Sequence, residues 1–300
     1  MTSESYIEIR KAIALIIKGT EWEGHVYLVG GCVRDEIMGL NIHDIDLAID
    51  LPNGGIRFVQ WLAENHFTPK GRKPKIFEHF GTAKVRLKAF PKEEIDCVQT
   101  RKERYVYEEV PNPDKYFGNI EEDALCRDLT INTLFRNITT DELIDPLGKG
   151  LHDIENHIIR TPNDPDISLR DNAMHILRCI RFAVKYNWVL SSELLESMQR
   201  NVDIVATATT RRMINELLAI LNLKEKKRAL SLISKVGAMP VVEPYLQMIQ
   251  KKRAEMAERD RKRKEKEKNK SQKEEEGKRP KKKRRKSKGK GKKKVQVKSL

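Results

Sequence analysis

The sequence predicts an α+β protein in which a small mixed sheet with helices precedes an all-helical region and a charged tail. Three observations predict this order. Short runs of β-branched and aromatic residues broken by glycine fill the first half, and apolar residues recur about every 3.6 positions after residue 166. Residues 251–300 contain 26 Lys/Arg and 8 Asp/Glu. We therefore predict domains at 1–160, 166–250 and 251–300, joined at 160–168 by a segment rich in Pro, Asn and Asp.

The first elements are a helix, a strand and a glycine turn. We predict a helix over 4–18 and a strand over 25–29 that stops at Gly30 and Gly31, with a helical turn over 33–38. In such a unit, backbone N–H groups at the helix N-terminus can bind an anion, because no side chain blocks the approach. Phosphate is the ligand that this arrangement favours.

The next predicted strand, 44–49, carries two aspartates on one face. Asp44 and Asp46 are separated by one residue, and alternate side chains of a strand share a face. Adjacent carboxylates repel each other unless a divalent cation lies between them, and Mg²⁺ prefers oxygen ligands. The alternative is a solvated strand face beside an ordinary turn. The phosphate-binding turn next to the pair favours phosphoryl transfer instead.

The middle of the chain contains a hairpin and a polar cluster. An amphipathic helix over 55–65 precedes predicted strands over 80–90 and 94–100. Asp96 could add a third carboxylate to the pair, although a surface aspartate at a strand edge is equally consistent with its spacing. The segment 122–135 carries a group that could either bind a ribose or cap a helix. That group consists of Arg127, Asp128 and Asn132.

The second half is predicted to be helical over 169–186, 191–201, 210–222 and 224–239. Residues 251–270 could form a charged helix, but they have almost no apolar face and the segment after them has none, so we predict that the tail is disordered.

The basic charge of the protein belongs to its tail. The chain has a net charge of +15 and its last fifty residues have +18, which leaves −3 for the first 250. A lysine-rich disordered segment can capture nucleic acid by counterion release, or it can merely aid solubility. The segment PKKKRRK could also serve as a nuclear-import signal if the host has a nucleus.

Cysteine spacing and the N-terminus predict the compartment. The four cysteines form no C-x-x-C pair, which indicates reduced thiols rather than a zinc site or a disulfide framework. The N-terminal segment reads as an amphipathic helix, without the pattern of a signal peptide or a membrane span. We therefore predict a cytoplasmic protein with no membrane partner.

Seven motifs together carry a family resemblance. In order they are LVGGCVRD, DID, IDCVQTRKERY, CRDLTIN, DPLGKGLHDI, ILRCIRF and RRMINEL. This series resembles the class II tRNA nucleotidyltransferases and bacterial poly(A) polymerases, which belong to the polymerase-β-like nucleotidyltransferase superfamily. The resemblance implies a head with a five-stranded sheet, a helical neck, and Mg²⁺-dependent transfer of a nucleotide from CTP or ATP to an RNA 3′-hydroxyl. CCA addition to tRNA is the favoured reaction. Poly(A) synthesis, or a catalytically weakened RNA-binding relative, are the alternatives.

The same resemblance implies roles for individual residues. Asp44 and Asp46 would bind the metal and Asp96 would complete the catalytic site, while Arg212 and Glu216 would brace the neck. The residues with an implied nucleotide contact are Gly30, Gly31, Arg34, Arg127, Asp128, Asn132, Asp171, Asn172, His175, Arg178 and Arg181.

Two departures from the family pattern affect nucleotide choice. Cys126 stands where the family has a second arginine before Asp128, and the five residues 171–175 replace the family's E-D-P-L-R. In that segment Asn172 and His175 stand where a carboxylate and a guanidinium read the base, and both replacements are neutral and weaker partners. We therefore predict relaxed base choice or a bias toward one triphosphate.

Overall fold

The computed structural model describes residues 3–102 and 116–277. The end of the IDCVQTRKERY motif and the PKKKRRK segment lie outside the described residues. The chain divides into two compact units, one through Leu246 and one from Gln247 onward, and each is described by itself.

The first unit begins with alternating helices and strands. Helix α1 spans Ser3–Ile17 and strand β1 spans Val26–Val29; helix α2 (Gly31–Ile37) and strand β2 (Ile45–Ile49) follow, and then helix α3 (Gly54–Glu64). The strand, glycine turn, helix and second strand that the sequence predicts are confirmed, with bounds that shift by one or two residues.

A mixed sheet forms the body of the first unit. Its further strands are β3 (Lys75–Phe77), β4 (Thr82–Leu87), β5 (Phe90–Gln99), β6 (Phe135–Asn137) and β7 (Leu143–Ile144), and the order within the described part of the chain is β3-β4-β5-β2-β1-β6-β7. Strands β2 and β5 are parallel, and the other neighbours are antiparallel. The expected five strands become seven because two short strands, β3 and β7, pair at the edges.

One face of the sheet is apolar and packs under α1 and α3. Side chains from β2 and β5 alternate, so that Ile45 and Ile95 enter the core that Phe58 of α3 also fills. Helix α3 lies close to β5 at Gly55, where a Cβ would meet the Cys97 carbonyl oxygen at 2.8 Å. Burying each large side chain in this core contributes about 1.5–3 kcal/mol.

Short elements connect the sheet to the helical part. Helices α4 (Ile120–Leu125) and α5 (Gly150–Glu155) flank β6 and β7, and a separate pair of parallel strands joins β8 (Ile158–Ile159) to β9 (Val189–Leu190).

The helical part consists of α6 (Pro165–Arg170), α7 (His175–Tyr186), α8 (Ser192–Arg200), α9 (Thr210–Leu221) and α10 (Lys226–Lys235). The single helix predicted over 169–186 is wrong, because the chain breaks between α6 and α7. The Asn172 side chain accepts a hydrogen bond from the Met174 backbone N–H at 3.1 Å. Such local bonds to the backbone compete with helical hydrogen bonds.

The last described element is α11 (Met239–Gly277), so residues 251–277 are helical where the sequence analysis predicted disorder. Good helix formers fill this stretch, and opposite charges four residues apart pair along it, as Arg263 and Glu267 do at 3.7 Å. Among the described helices, none is long and apolar enough to cross a membrane.

A buried arginine links the glycine turn to α7. The side chain of Arg34, in α2, is 5% exposed and forms an ion pair with Asp35 at 2.7 Å. Its guanidinium carbon lies 5.2 Å from the ring centre of Phe182 and 5.3 Å from that of Tyr186. It also donates to the Asn132 side chain. Arg34 therefore holds sheet and helical part together.

We predict that Arg34→Met lowers the free energy of unfolding by about 3–5 kcal/mol, because it leaves the Asp35 carboxylate buried without its partner. Arg57→Met is the matched control. Arg57 forms an ion pair of the same 2.7 Å length with Glu21 and lies 5.4 Å from the Trp22 ring centre, but its side chain is 42% exposed. The Arg57→Met control should lower the free energy of unfolding by at most about 1 kcal/mol. Urea unfolding measures both, and equal losses would contradict a buried structural role for Arg34.

Candidate active site

The parallel pairing of β2 with β5 brings two carboxylates together. Asp46 and Asp96 are direct partners in this register, and Asp44 is exposed just before β2. Burial and the Asp96 carboxylate, with a contribution from Asp44, raise the pKa of Asp46 to about 6, although Arg127 and Lys84 oppose the shift. The predicted neighbourhood of the three aspartates is therefore present on the polar face of the sheet.

Lys84 is a member of this cluster that the sequence analysis missed. It lies opposite Asp96 across the β4–β5 pair, with its Nζ 2.6 Å from the carboxylate Oδ1. The hydrogen bond to Asp96 raises the pKa of the Lys84 ammonium group. No sequence spacing reveals this contact, because the β4–β5 register shifts between Val85 and Leu87, and counting back from the Leu87–Phe90 pair would place Gly81 opposite Asp96.

The carboxylates could supply two ligands to a divalent cation, but not a complete coordination shell. Within residues 3–102 and 116–277, no group of three or more His, Cys, Asp or Glu side chains is placed to hold a metal ion. Asp96 is engaged by Lys84, so Asp44 and Asp46 are the carboxylates that could serve as ligands. One or two carboxylates are sufficient for Mg²⁺, which usually completes its shell with water and substrate phosphates.

The glycine turn faces the carboxylates and a cation. Gly30 has a positive φ of 68°, and a Cβ there would lie 3.4 Å from Arg127 Nη1 and 3.9 Å from Asp46 Oδ2. Any larger residue would therefore be strained and would fill the space between these groups. Two guanidiniums lie at this turn: Arg127 beside Gly30, and Arg34, which is paired with Asp35, beside Gly31.

A buried carboxylate positions Arg127. Asp123, on α4, accepts hydrogen bonds from Arg127 Nε at 2.9 Å and Nη2 at 2.6 Å, and the guanidinium lies 5.0 Å from the ring centre of Phe135. The sequence analysis missed Asp123, although its four-residue spacing from Arg127 is the usual signal for such a helical pair.

A cleft of about 830 Å³ lies between the sheet and the helical part. Within it, Arg178 of α7 donates to Asp128, and Asn132 donates to the same carboxylate at 2.8 Å. Burial alone would raise the pKa of Asp128, but Arg178 and the two hydrogen bonds lower it to about 2. The lining residues are Phe80, Thr82, Arg101, Cys126, Arg127, Asp128, Asn172, Met174, His175, Arg178, Arg212, Asn215 and Glu216.

Several residues with an implied nucleotide contact are absent from this lining. Arg34 and Asn132 are buried and bonded to each other, while Arg181 forms an ion pair with Glu216 and lies 4.7 Å from the Phe182 ring centre. These contacts position the walls of the cleft. Asp171 is exposed and also outside the lining.

The segment that replaces the family's base-reading residues is arranged unexpectedly. His175 is 3% exposed, and its Nδ1 lies 2.7 Å from the Ser168 carbonyl oxygen, to which it donates. Asn172 Oδ1 accepts from Arg212 Nη2 at 3.0 Å as well as from the Met174 N–H. The guanidinium beside Asn172 therefore comes from α9, which the sequence analysis treated only as a brace.

Comparisons with known proteins place the chain in a family. Residues 26–160 match the model of the poly(A) polymerase head domain. A tRNA nucleotidyltransferase of Schizosaccharomyces pombe is 32% identical over 263 residues, which are 83% of this chain and 51% of the relative. The mitochondrial CCA tRNA nucleotidyltransferase of Saccharomyces cerevisiae is 34% identical over 76% of this chain and 41% of the relative. The chain thus spans about half the length of these curated relatives or less.

Solved structures give the same result. A tRNA nucleotidyltransferase complexed with a primer tRNA and an incoming ATP analogue superposes with a TM-score of 0.61 at 26% identity, over 78% of this chain and 62% of that one. A tRNA-processing enzyme in its apo form superposes with a TM-score of 0.64, also at 26% identity, over 81% of this chain and 59% of that one. The chain belongs to the family of tRNA nucleotidyltransferases and poly(A) polymerases, with residues 26–160 as its head domain.

Proposed function

We propose that this protein transfers a nucleoside monophosphate from CTP or ATP to the 3′-hydroxyl of tRNA, as in CCA addition, and releases pyrophosphate. The observation that carries the proposal is the Asp46–Asp96 pair, in which Asp46 lies beside the glycine turn at Gly30. Arg127 lies at the same turn and also lines the cleft, although Asp46 and Asp96 themselves do not. We further propose that residues 1–160 act as the head and 166–250 as the RNA-binding neck. A cytoplasmic location stays part of the proposal, although some relatives are mitochondrial.

The carboxylates and the cleft arginines have separate tasks in this reaction. Asp44 and Asp46 would hold Mg²⁺, which supplies Lewis-acid charge at the reacting phosphate when it is bound. Arg127, held by Asp123, faces the turn where a triphosphate would lie and offsets the charge that develops on the leaving pyrophosphate. Transfer is direct: the 3′-oxygen forms a bond to the α-phosphorus and the bond to pyrophosphate breaks.

Nucleotide choice follows from the Asn172–Arg212 contact. Both lone pairs of Asn172 Oδ1 are used, one by Arg212 and one by the Met174 N–H. The side chain can therefore offer only its N–H donors to a base, next to the donors of Arg212. Cytosine presents two adjacent acceptors on its pairing edge, whereas adenine presents one acceptor beside an amino donor. The pair therefore favours CTP over ATP.

We predict that Asp46→Asn lowers nucleotide incorporation by at least about 100-fold, the lower range for removing one charge-stabilising group from an active site. The variant should unfold at no lower temperature than the parent protein in chelator, because a neutral isostere replaces a crowded carboxylate. Asp141→Asn is the control: it makes the same change at an exposed residue with a positive φ of 62°, which asparagine tolerates. Incorporation by Asp46→Asn at the control's rate would refute the catalytic assignment.

We predict that the parent protein incorporates CTP at least roughly 10-fold faster than ATP, since one lost hydrogen bond is worth about 1–3 kcal/mol. Asn172→Asp restores accepting lone pairs and should narrow this ratio. Arg212→Gln should reduce incorporation of both nucleotides. The measurement is single-nucleotide addition to a tRNA that lacks its 3′ terminus. Equal rates with ATP and CTP in the parent protein would contradict the proposal that Asn172 and Arg212 offer only hydrogen-bond donors to the base.

The same assay separates the alternative functions. Repeated addition of ATP alone to an unstructured RNA would identify a poly(A) polymerase. RNA binding without incorporation of any of the four triphosphates would identify a weakened RNA-binding relative.

A further inference from the structure

A second groove lies on the outer strands of the sheet. It has a volume of about 420 Å³ and a strongly basic wall. Its lining residues are Thr68, Pro69, Arg72, Lys73, Pro74, Lys75, Lys84, Val85, Arg86 and Glu94. Five of these are cations and one is an anion, in a body whose first 250 residues carry a net charge of −3. Positive charge is therefore concentrated in this groove, although the first 250 residues together carry a net negative charge.

The cations of the groove are held in place but not neutralised. Glu94 accepts from Lys75 at 3.1 Å and from Arg86 at 3.2 Å, and Lys84 lies 3.7 Å from it. These cations, Lys75 first, keep the pKa of Glu94 below its usual range. Lys84 is paired more closely with Asp96, so Glu94 serves mainly Lys75 and Arg86. Arg72 donates to the Pro91 carbonyl oxygen at 3.1 Å, which leaves its charge in place, and the surface keeps a net positive charge.

The groove is continuous with the active site along a single strand. Alternate residues of β4 share the polar face and are about 6.6 Å apart. Along this row Thr82 lines the active-site cleft, Lys84 contacts Asp96, and Arg86 lines the groove. A chain whose end reaches the carboxylates could thus continue outward over a row of cations.

We propose that this groove binds the phosphodiester backbone of the RNA substrate on the 5′ side of its reacting 3′ end. The proposal rests on the function proposed above. The cations of the groove are closely spaced along a line that leads away from the catalytic carboxylates. Such a row suits an RNA backbone, which carries one negative charge per phosphate at regular intervals. The groove and the glycine turn lie on opposite sides of the catalytic carboxylates. The triphosphate would therefore contact Arg127 at the turn, and the cations of the groove stay available for the RNA.

The test compares two triple variants of the full chain. Arg72→Gln/Lys73→Gln/Lys75→Gln removes three cations of the groove and leaves Lys84 at the active site untouched. Lys11→Gln/Lys18→Gln/Arg57→Gln removes the same charge from α1, from the residue after it and from α3, at side chains that reach solvent. These helices cover the opposite, apolar face of the sheet. The C-terminal segment is identical in both, so any difference between the two variants reports on the groove.

The first readout is binding of a single-stranded RNA of about twenty nucleotides, by fluorescence anisotropy without nucleotide, over a range of salt concentrations. Each lost phosphate contact should flatten the slope of log affinity against log salt by about 0.7. We expect the groove variant to bind more weakly, with a slope flatter by about 1.4–2.1, and the control variant to change little. Equal slopes for the two variants would overturn the proposal.

The second readout is the Michaelis constant for each substrate. The groove variant should raise KM for the long RNA at least 5-fold and leave KM for CTP, and for a two-nucleotide primer, unchanged. A raised KM for CTP, or an equal effect on the short primer, would assign the groove to the triphosphate or the 3′ end and overturn the proposal. Failure of the proposed function would be visible separately as no incorporation by the parent protein, while the binding readout would still decide the groove.

Discussion

The parallel alignment of β2 with β5 is the constraint on which the rest of the structure depends. It places Ile45 beside Ile95 and Leu47 beside Cys97 in the core, and the same register places Asp46 beside Asp96 on the opposite face. A shift of one residue would turn the apolar set to solvent and the carboxylates into the core. Hydrophobic burial therefore enforces a carboxylate contact that is unfavourable by itself, and that raises the pKa of Asp46 to about 6.

The arginines around this pair fall into two groups with different partners. Arg34 and Arg181 both lie against the aromatic ring of Phe182. Arg34 forms an ion pair with Asp35 and joins the glycine turn to α7, whereas Arg181 forms an ion pair with Glu216 and joins α7 to α9. The other group, Arg127 and Arg178, is oriented by Asp123 and Asp128 at the edge of the cleft. Anchoring by a buried carboxylate fixes a guanidinium fork in place before a ligand arrives, which lowers the cost of ordering on binding.

The sequence predicted features that depend on neighbours along the chain. The strand–turn–helix–strand unit, the Asp44 and Asp46 pair and the Asp128–Asn132 contact are local, and the structure brings each together. Lys84 and Arg212 were missed as site residues because their positions depend on hairpin register and helix packing, which no spacing reveals. The break before α7 was missed because one side-chain bond outweighed a continuous apolar period. The helix over 251–277 was missed because the absence of an apolar face was given more weight than helix propensity and charge spacing.

The cleft has a guanidinium beside Asn172 although residue 175 is a histidine, because Arg212 of α9 reaches Asn172. A histidine at the start of α7 is too short to span the cleft, and its Nδ1 bonds to Ser168 in the wall. The break that Asn172 creates before α7 brings its side chain within 3.0 Å of Arg212 on α9. Arg212 takes one lone pair of the Asn172 amide oxygen and the Met174 N–H takes the other, so the site holds a positive charge while this oxygen has no accepting capacity left. Under the function proposed above, base discrimination would depend on which side chains bond each other before the nucleotide binds.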